Sequence, residues 1–159
     1  VAWRAHLELL QTMKAAGNVR YIGITTSHGR RHAELEDIMA SQPIDFVQLT
    51  YNVEDREVEQ RLLPLAGERG IAVIVNRPFQ RGYLVERLSS MPLPNWVAET
   101  GASSWAQFLL KFVISHPAVT CAIPATSQVE HVRENMAAAS GILPDTALRQ
   151  RMADYVRHL

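Results

Sequence analysis

The chain has 159 residues, of which 47% are hydrophobic and 20% charged, so a disordered polar chain is excluded and one domain with a sizeable core is expected. Its 16 Lys and Arg residues balance its 16 Asp and Glu residues, and we therefore expect no nucleic-acid partner. No apolar run reaches the roughly 20 residues that a membrane-spanning helix needs, so no membrane partner is expected either.

The single cysteine, Cys121, lies inside an apolar run, and we expect it to be a small buried hydrophobe. One cysteine cannot form an internal disulfide, so nothing in the sequence demands an oxidising compartment. No signal peptide is visible before the first helix pattern, and the expected location is the cytoplasm.

The first part of the chain alternates between helix and strand patterns. Trp3, Leu7 and Leu10 recur at helical spacing and predict a helix that Gly17 ends. Pro64 falls inside a later helix pattern, which we expect it to kink or restart. The predicted elements are a helix over 2–16, a strand over 19–25, a helix over 30–40, a strand over 44–51, a helix closed by Gly70 and a strand over 71–75.

The second part is less regular. Residues 76–102 contain three prolines and little periodicity, and predict a long loop with a short helix. Ser103 or Ser104 is the expected cap of a strongly apolar helix that begins near Trp105. The last predicted elements are a strand near 119–123, a helix marked by Val129, Val132 and Met136, and a C-terminal helix that starts at Pro144 and Asp145.

Strands that alternate with helices predict a parallel sheet with right-handed crossovers. Two α/β architectures fit this order. One is a flavodoxin-like doubly wound sheet, and the other is part of a (β/α)8 barrel, which needs about 250 residues when complete.

Four stretches in order decide between these architectures: "NVRYIGIT", "IDFVQLTYNV", "RLLPLAGERGIAVIVNRPFQRGYL" and "IPATSQVEHVREN". Together, over roughly residues 7–145, they resemble the C-terminal half of an aldo-keto reductase. The resemblance implies that residues 1–159 form a single partial domain, strands five to eight of a (β/α)8 TIM barrel plus a C-terminal helix. It also implies NADP(H) as cofactor, with NAD(H) as the alternative, and a small aldehyde or ketone as substrate.

Small hydroxyl residues precede the helix that begins near Gln128. Thr126 and Ser127 add donors where free backbone N–H groups and the helix dipole favour an anion, although the same residues are also ordinary helix caps. By resemblance, this segment holds the adenosine 2′-phosphate, and Glu134 and Asn135 bind the adenine edge. His131 stands where relatives often have Arg, which leaves the preference for NADP over NAD open.

A second group of candidate residues follows the predicted strands. Gln48 matches the family glutamine that binds the nicotinamide carboxamide; the alternative is a core glutamine satisfied by the backbone. Thr25 and Thr26 stand where relatives commonly have Ser-Asn contacting the same group; the alternative is an ordinary turn.

The segment "NRPFQRG" corresponds to the family's pyrophosphate loop. Where relatives place a stacking aromatic ring, this chain has Asn76 and Arg77. A planar guanidinium can stack on the nicotinamide and attract pyrophosphate, while the alternative is a salt-bridged surface arginine. The resemblance assigns the shape of this loop to Pro78, Phe79 and Gly82.

No catalytic residue is assigned. The family's Tyr, Lys, Asp and His tetrad lies on the first half of the barrel, and the tyrosines of this chain lie in other segments. We therefore expect the chain to be inactive alone and to need a missing N-terminal half, with a homodimer as the alternative assembly. A non-catalytic scaffold or regulatory module, or an inactive truncated fragment, is the alternative function.

A metal site is not expected. His28 and His32 are four residues apart, but no Cys, Asp or Glu cluster accompanies them at ligand spacing.

Overall fold

The computed structural model describes residues 3–26 and 31–159. Within these ranges it contains seven α-helices and four β-strands, joined by three 3-10 turns at Glu57–Glu59, Gln80–Gly82 and Val97–Thr100. In chain order, the elements are α1 (Trp3–Ala15), β1 (Gly23–Thr25), α2 (His32–Ser41), β2 (Phe46–Thr50), α3 (Leu62–Arg69), β3 (Ala72–Asn76), α4 (Tyr83–Leu88), α5 (Trp105–Ile114), β4 (Cys121–Ala122), α6 (Val129–Ala137) and α7 (Thr146–Arg157).

The four strands form one parallel sheet in the order β1-β2-β3-β4. Each strand pairs with the next one along the chain, whereas a doubly wound sheet reverses its order at a switch point. The observed order therefore excludes the flavodoxin-like alternative and agrees with consecutive strands of a barrel.

The sheet has one face covered by helices and one open face. Val47, Leu49, Val73 and Val75 are fully buried on the covered face, in the same core cluster as apolar side chains of α3 and α5. Because side chains alternate along a strand, the residues between them point to the opposite side. The backbone register aligns one row of this open face across all four strands: Thr25, Gln48, Ile74 and Cys121.

The prediction that Cys121 is buried is wrong, because its side chain is exposed. It pairs with Ile74 in the row that faces away from the helices. An apolar run indicates a strand, but it does not tell which side chains lie on the open face of an incomplete barrel.

The two strands at the sheet edges are shorter than predicted. The run 19–25 forms a strand only over Gly23–Thr25, since the N–H of Ile22 donates to the carboxylate of Asp45 at 2.9 Å instead of joining the ladder. That carboxylate also binds Lys14 of α1, with Nζ 2.6 Å from Oδ2. The ion pair thus fixes α1 against the start of β2.

The predicted helix boundaries are largely confirmed. The side chain of Ser104 accepts the N–H of Gln107, and that of Asp145 accepts the N–H of Leu148, so both helices begin at predicted caps. Pro64 lies in the first turn of α3, where its missing N–H costs nothing, so it follows a helix restart and does not kink a longer helix.

Helix α6 packs differently from the others. It forms at the predicted place, but none of its residues is buried. Val129, Val132 and Met136 lie on one side of it with 58%, 48% and 68% of their surface exposed, and Ile142 and Leu143 beyond the helix are exposed too. An apolar stripe of this size marks a surface that another element covers.

Within the described ranges, every helix is too short or too polar to cross a lipid bilayer.

Candidate functional site

A chain of hydrogen bonds fixes the carboxyl ends of three strands. The hydroxyl of Thr50 donates to Oδ1 of Asn76 at 2.7 Å, and Nδ2 of Asn76 donates to the backbone carbonyl of Thr26, also at 2.7 Å. Thr50 and Asn76 are both buried. Asn76, a predicted cofactor residue, thus lies at the expected strand end with its amide bound to the protein itself.

Thr25 and Gln48 are neighbours on the open face of the sheet. They pair in register, Thr25 is exposed and Gln48 is half-buried, and the N–H of Thr26 donates to the carbonyl of Gln48 at 2.8 Å. No hydrogen bond joins the side-chain amide of Gln48 to any residue that the structure describes. The half-buried amide therefore keeps its donor and acceptor groups without a partner among the described residues, unlike a core glutamine satisfied by the backbone.

The backbone after β3 is unusual. Arg77, Gln80 and Arg81 have φ angles of 52°, 47° and 61°, in the left-handed region that costs roughly 1–2 kcal/mol for residues with a Cβ. The cost is greater for Arg77, because a residue that precedes proline also avoids helical backbone angles. Strain of this kind tends to collect at functional sites.

Gly82 closes this segment with a φ of 97°, which only glycine adopts readily. An added Cβ at this position would meet no atom within 4 Å. The glycine is therefore required by its backbone angle and not by crowding from neighbouring protein atoms.

A cavity of about 160 Å³ lies between the loops after β3 and β4. Neither guanidinium in its wall forms an ion pair with any described residue, so the surface-salt-bridge alternative for Arg77 is not observed there. Arg81 was not predicted, and its signal was the second arginine of "RPFQR". The residues that line the cavity are Arg77, Pro78, Phe79, Arg81, Ile123, Pro124 and Ala125.

Helix α6 begins directly after this cavity. Its N-cap residue, Gln128, has extended backbone angles and no side-chain cap bond. The hydroxyl of Thr126 accepts the N–H of Gln128 at 3.1 Å and lies 3.2 Å from Nδ1 of His131, so Thr126 shapes the turn that precedes the helix. Ser127 is exposed. The next N–H groups of the first turn have no intrahelical partner, as at every helix start.

The predicted adenine-binding pair lies further along α6. Glu134 and Asn135 are half-buried, and the carbonyl of Glu134 accepts Nε2 of Gln107 at 3.5 Å. Arg133 faces solvent beside Glu130, with an N–O separation of 3.9 Å.

Two of the larger cavities lie away from the one between the two loops. One of about 740 Å³ is lined by α7 and the segment 53–60 and contains none of the predicted site residues. The other, of about 330 Å³, lies between α1, β1 and α2, is mainly apolar and includes Thr25 and Thr26 at its rim. Most of the predicted residues therefore lie at the strand ends, apart from the 740 Å³ cavity.

Tyr51 lies close to these strand ends but inside a buried ionic cluster. Its hydroxyl donates to Glu59 and accepts from Arg149. Burial, and then the hydrogen bond to Glu59, raises the pKa of Tyr51 far above its ordinary value. A fully buried phenol that holds its proton so firmly is a structural group and a poor proton donor to a substrate.

The cluster also holds α7 in place. Nη2 of Arg149 lies 2.9 Å from Glu59, and Nε of Arg149 donates to the carbonyl of Phe112 at 3.1 Å. Burial works to raise the pKa of Glu59, but hydrogen bonds from Arg56 and Tyr51 outweigh it and hold that pKa below its ordinary value.

Among the described residues, no three His, Cys, Asp or Glu side chains gather closely enough to hold a metal ion. His32 lies 3.4 Å from a carboxylate oxygen of Glu57. His28, its neighbour in the sequence pattern, lies outside the described residues.

Comparison with known proteins places these observations in a family. The sequence model of the aldo/keto reductase family matches residues 3–150. The chain is 28% identical over 137 residues to methylglyoxal reductase YeaE of Escherichia coli K12, an alignment that covers 86% of this chain and 48% of that protein. The chain thus spans about half the length of this relative.

Solved structures give the same picture. An aldo/keto reductase from Klebsiella pneumoniae in complex with NADP and acetate matches with a TM-score of 0.74 and 25% identity, over 94% of this chain and 52% of that one. The apo form of an aldo-keto reductase from Bacillus halodurans matches with a TM-score of 0.76 and 21% identity, over 98% of this chain and 57% of that one. The four-stranded sheet therefore corresponds to about half of a TIM barrel.

Proposed function

The chain belongs to the aldo/keto reductase family, and we propose that it is the cofactor-binding half of an NADP(H)-dependent reductase that converts aldehydes or ketones to alcohols. When bound, the nicotinamide would supply the hydride. The observation that carries the proposal is the meeting of two arginines, neither ion-paired to any described residue, and a helix N-terminus at the carboxyl ends of parallel strands. This is the end of a barrel at which ligands bind.

The open face supplies the site for the nicotinamide. A carboxamide has a donor and an acceptor. The side chain of Gln48 has both as well, and neither is hydrogen-bonded to a described residue. The exposed hydroxyl of Thr25 lies next to it in register. We assign the orientation of the nicotinamide to this pair, with Thr26 at the neighbouring strand end.

The cavity between the two loops suits the pyrophosphate. Arg77 and Arg81 place two permanent cations on one wall, and Pro124 and Ala125 form the other. Asn76 and Pro78 are both buried, and with Phe79 and Gly82 they fix the loop that carries the arginines. Asn76, at the position where relatives have an aromatic ring, is thus proposed to support the site through its side-chain amide.

The 2′-phosphate is assigned to the start of α6. Thr126, Ser127 and the free amides of the first helical turn offer donors to an anion, and the helix dipole favours negative charge there. His131, whose Nδ1 lies 3.2 Å from the hydroxyl of Thr126, is assigned to the same phosphate site. NAD(H) remains an alternative ligand. Glu134 and Asn135 are assigned to the adenine edge.

The proton donor is assigned to polypeptide outside this chain. Tyr51 is buried in its ionic cluster, and Tyr155, which is partly buried, stacks on Trp105. We place the missing N-terminal half of the barrel against β1, β4 and the apolar stripe of α6, since these are the surfaces that an incomplete barrel leaves open. A second copy of the chain is the alternative occupant.

A non-catalytic scaffold or regulatory module is the second candidate. It is favoured by the burial of Tyr51, the tyrosine that directly follows β2, in an ionic cluster. The two candidates differ in one measurable property: the reductase needs a tyrosine acid from the adjoining polypeptide, and the scaffold does not.

Binding of NADPH tests the leading proposal. Titration of the natural protein that contains this chain, followed by nucleotide fluorescence, should show binding that the substitution Thr126→Asp weakens about tenfold or more, because a carboxylate repels the phosphate. Thr146→Asp places the same charge at the start of α7 and is the matched control. Equal affinities in wild type and Thr126→Asp would contradict the assignment.

A further inference from the structure

A single buried side chain joins the loop after β2 to the loop after β3. Asn52 is fully buried, and its Oδ1 accepts the N–H groups of Glu54 at 3.0 Å and Asp55 at 2.9 Å. These bonds shape the loop after β2 as an Asx-type turn. The other end of the same amide reaches outwards from this turn.

Nδ2 of Asn52 donates to a carboxylate oxygen of Asp55 at 2.8 Å and to the backbone carbonyl of Arg77 at 3.2 Å. The carbonyl of Arg77 also accepts the N–H of Gln80 at 3.0 Å. The side chain of Gln80 points back to the same turn, with Nε2 3.2 Å from oxygens of Glu54 and Asp55. The two loops are therefore connected by amide donors that converge on one turn.

This connection acts on the strained part of the backbone. Arg77, Gln80 and Arg81 all have positive φ, and no glycine relieves the cost at these positions. Such a backbone persists only where its surroundings hold it. Asn52 binds the carbonyl of Arg77, the first strained residue. The second strained residue, Gln80, is held through its own side chain, which binds Glu54 and Asp55.

We infer that Asn52 is a positioning residue, which holds the segment 77–82 in its left-handed conformation and thereby directs Arg77 and Arg81 towards the cavity between the two strand-end loops. The part of the inference that concerns ligand affinity rests on the proposed function. The part that concerns the conformation of 77–82 does not.

The substitution Asn52→Asp isolates the donor. The variant keeps an oxygen that accepts from the loop amides, but it places a second carboxylate oxygen against Asp55 and the carbonyl of Arg77. Amide hydrogen exchange, measured on the natural protein without nucleotide, should become about tenfold faster or more over 77–82 while α2 and α3 are unchanged. Asn95→Asp, at an exposed loop position, is the matched control and should leave 77–82 unchanged.

A second substitution separates positioning from general support. In Asn52→Asp/Arg77→Gly, glycine adopts the left-handed angle without the hydrogen bond from Asn52. Exchange at 80–82 should therefore return towards the wild-type rate. If Asn52→Asp does not fold, Gln80→Met removes the other amide donor at nearly constant volume and should accelerate exchange in the same segment.

The results decide the inference in either direction. The inference would be overturned if Asn52→Asp exchanged over 77–82 at the wild-type rate, or if its acceleration were spread evenly over the whole protein. Either result with Gln80→Met would overturn it as well. In the NADPH titration, Asn52→Asp should weaken binding about tenfold, and unchanged affinity would remove the link to the arginines. If wild-type protein binds no NADPH, the proposed function fails. The exchange data still test whether Asn52 holds the conformation of 77–82.

Discussion

Asn76, at the end of β3, donates from its side-chain amide to the backbone carbonyl of Thr26 after β1, 2.7 Å away and across the intervening strand β2. Thr50 of β2 completes the connection through Oδ1 of the same amide. One side chain thus braces the ends of three strands, and the candidate site is built on that brace.

Breaking this brace should cost stability. Asn76→Asp removes the donor to Thr26 and buries a carboxylate near a carbonyl, so we expect the free energy of unfolding to fall by about 1–3 kcal/mol. Urea unfolding measures the loss, with Asn18→Asp at an exposed position as the control. A loss no larger than that of the control would show that the brace is not stabilising.

The buried cluster at α7 predicts a dependence on pH. The folded-state pKa of Glu59 lies below its ordinary value, so Glu59 contributes stability that is present above the unfolded pKa of about 4.3 and is lost as pH falls through the folded pKa. Unfolding measured between neutral and acid pH should show this loss, and Glu59→Gln should flatten it.

Asp45 should contribute to stability in the same direction as Glu59, because its pKa is also lowered. The main cause is the hydrogen bond from Lys14, followed by the hydrogen bond from the N–H of Ile22. Lys14→Met should therefore remove a separate part of the acid-dependent loss. If both variants follow the wild-type curve, the acid loss arises from other groups.

Removing the cation of the cluster should be more severe. Arg149→Met leaves the carboxylate of Glu59 and the hydroxyl of Tyr51 without their buried partner, and we expect a loss of about 3 kcal/mol. Denaturant unfolding measures it. Arg157→Met, at an exposed position of the same helix, should cost less than 1 kcal/mol. Similar losses for the two arginines would contradict the structural role of the cluster.

Lys111 is a buried lysine whose Nζ donates to the carbonyls of Ser140 at 2.8 Å and Ile142 at 2.7 Å. Burial lowers its pKa, so the unfolded chain holds more protons between the folded and unfolded pKa values. Stability should therefore rise with pH across that interval. Lys111→Met should abolish this rise and cost about 1–3 kcal/mol at neutral pH through the two unpaired carbonyls. If stability still rises with pH in Lys111→Met, the rise comes from other groups.

The strained arginine predicts opposite effects on stability and binding. Arg81→Gly relieves a left-handed backbone and should raise the free energy of unfolding by up to about 1 kcal/mol, while the loss of the cation weakens NADPH binding. Arg69→Gly, in the last turn of α3, should instead destabilise by about 1 kcal/mol. Destabilisation by Arg81→Gly would argue against strain at that position.

Local patterns were enough to predict much of the fold. Helical spacing located α1 and α5, and hydroxyl and carboxylate caps located the starts of α5 and α7. These features depend on neighbours along the chain, which the sequence displays directly. Local patterns left two architectures open, and only the resemblance of four ordered stretches to the aldo-keto reductases indicated consecutive barrel strands.

Features that depend on distant contacts could not be predicted in this way. The exposure of Cys121 depends on what covers the open face of the sheet. The left-handed angles of Arg77 and Arg81 depend on a turn 25 residues earlier, since Nδ2 of Asn52 reaches the carbonyl of Arg77. No local preference of arginine indicates them.

Hydrogen exchange with and without saturating NADPH tests the central claim most directly. On the natural protein, bound nucleotide should slow exchange in two separate segments at once, 77–82 and 125–131, while the amides of α2 and α3 are unaffected. Protection of only one segment, or protection confined to other parts of the chain, would contradict a cofactor site at the carboxyl ends of these strands.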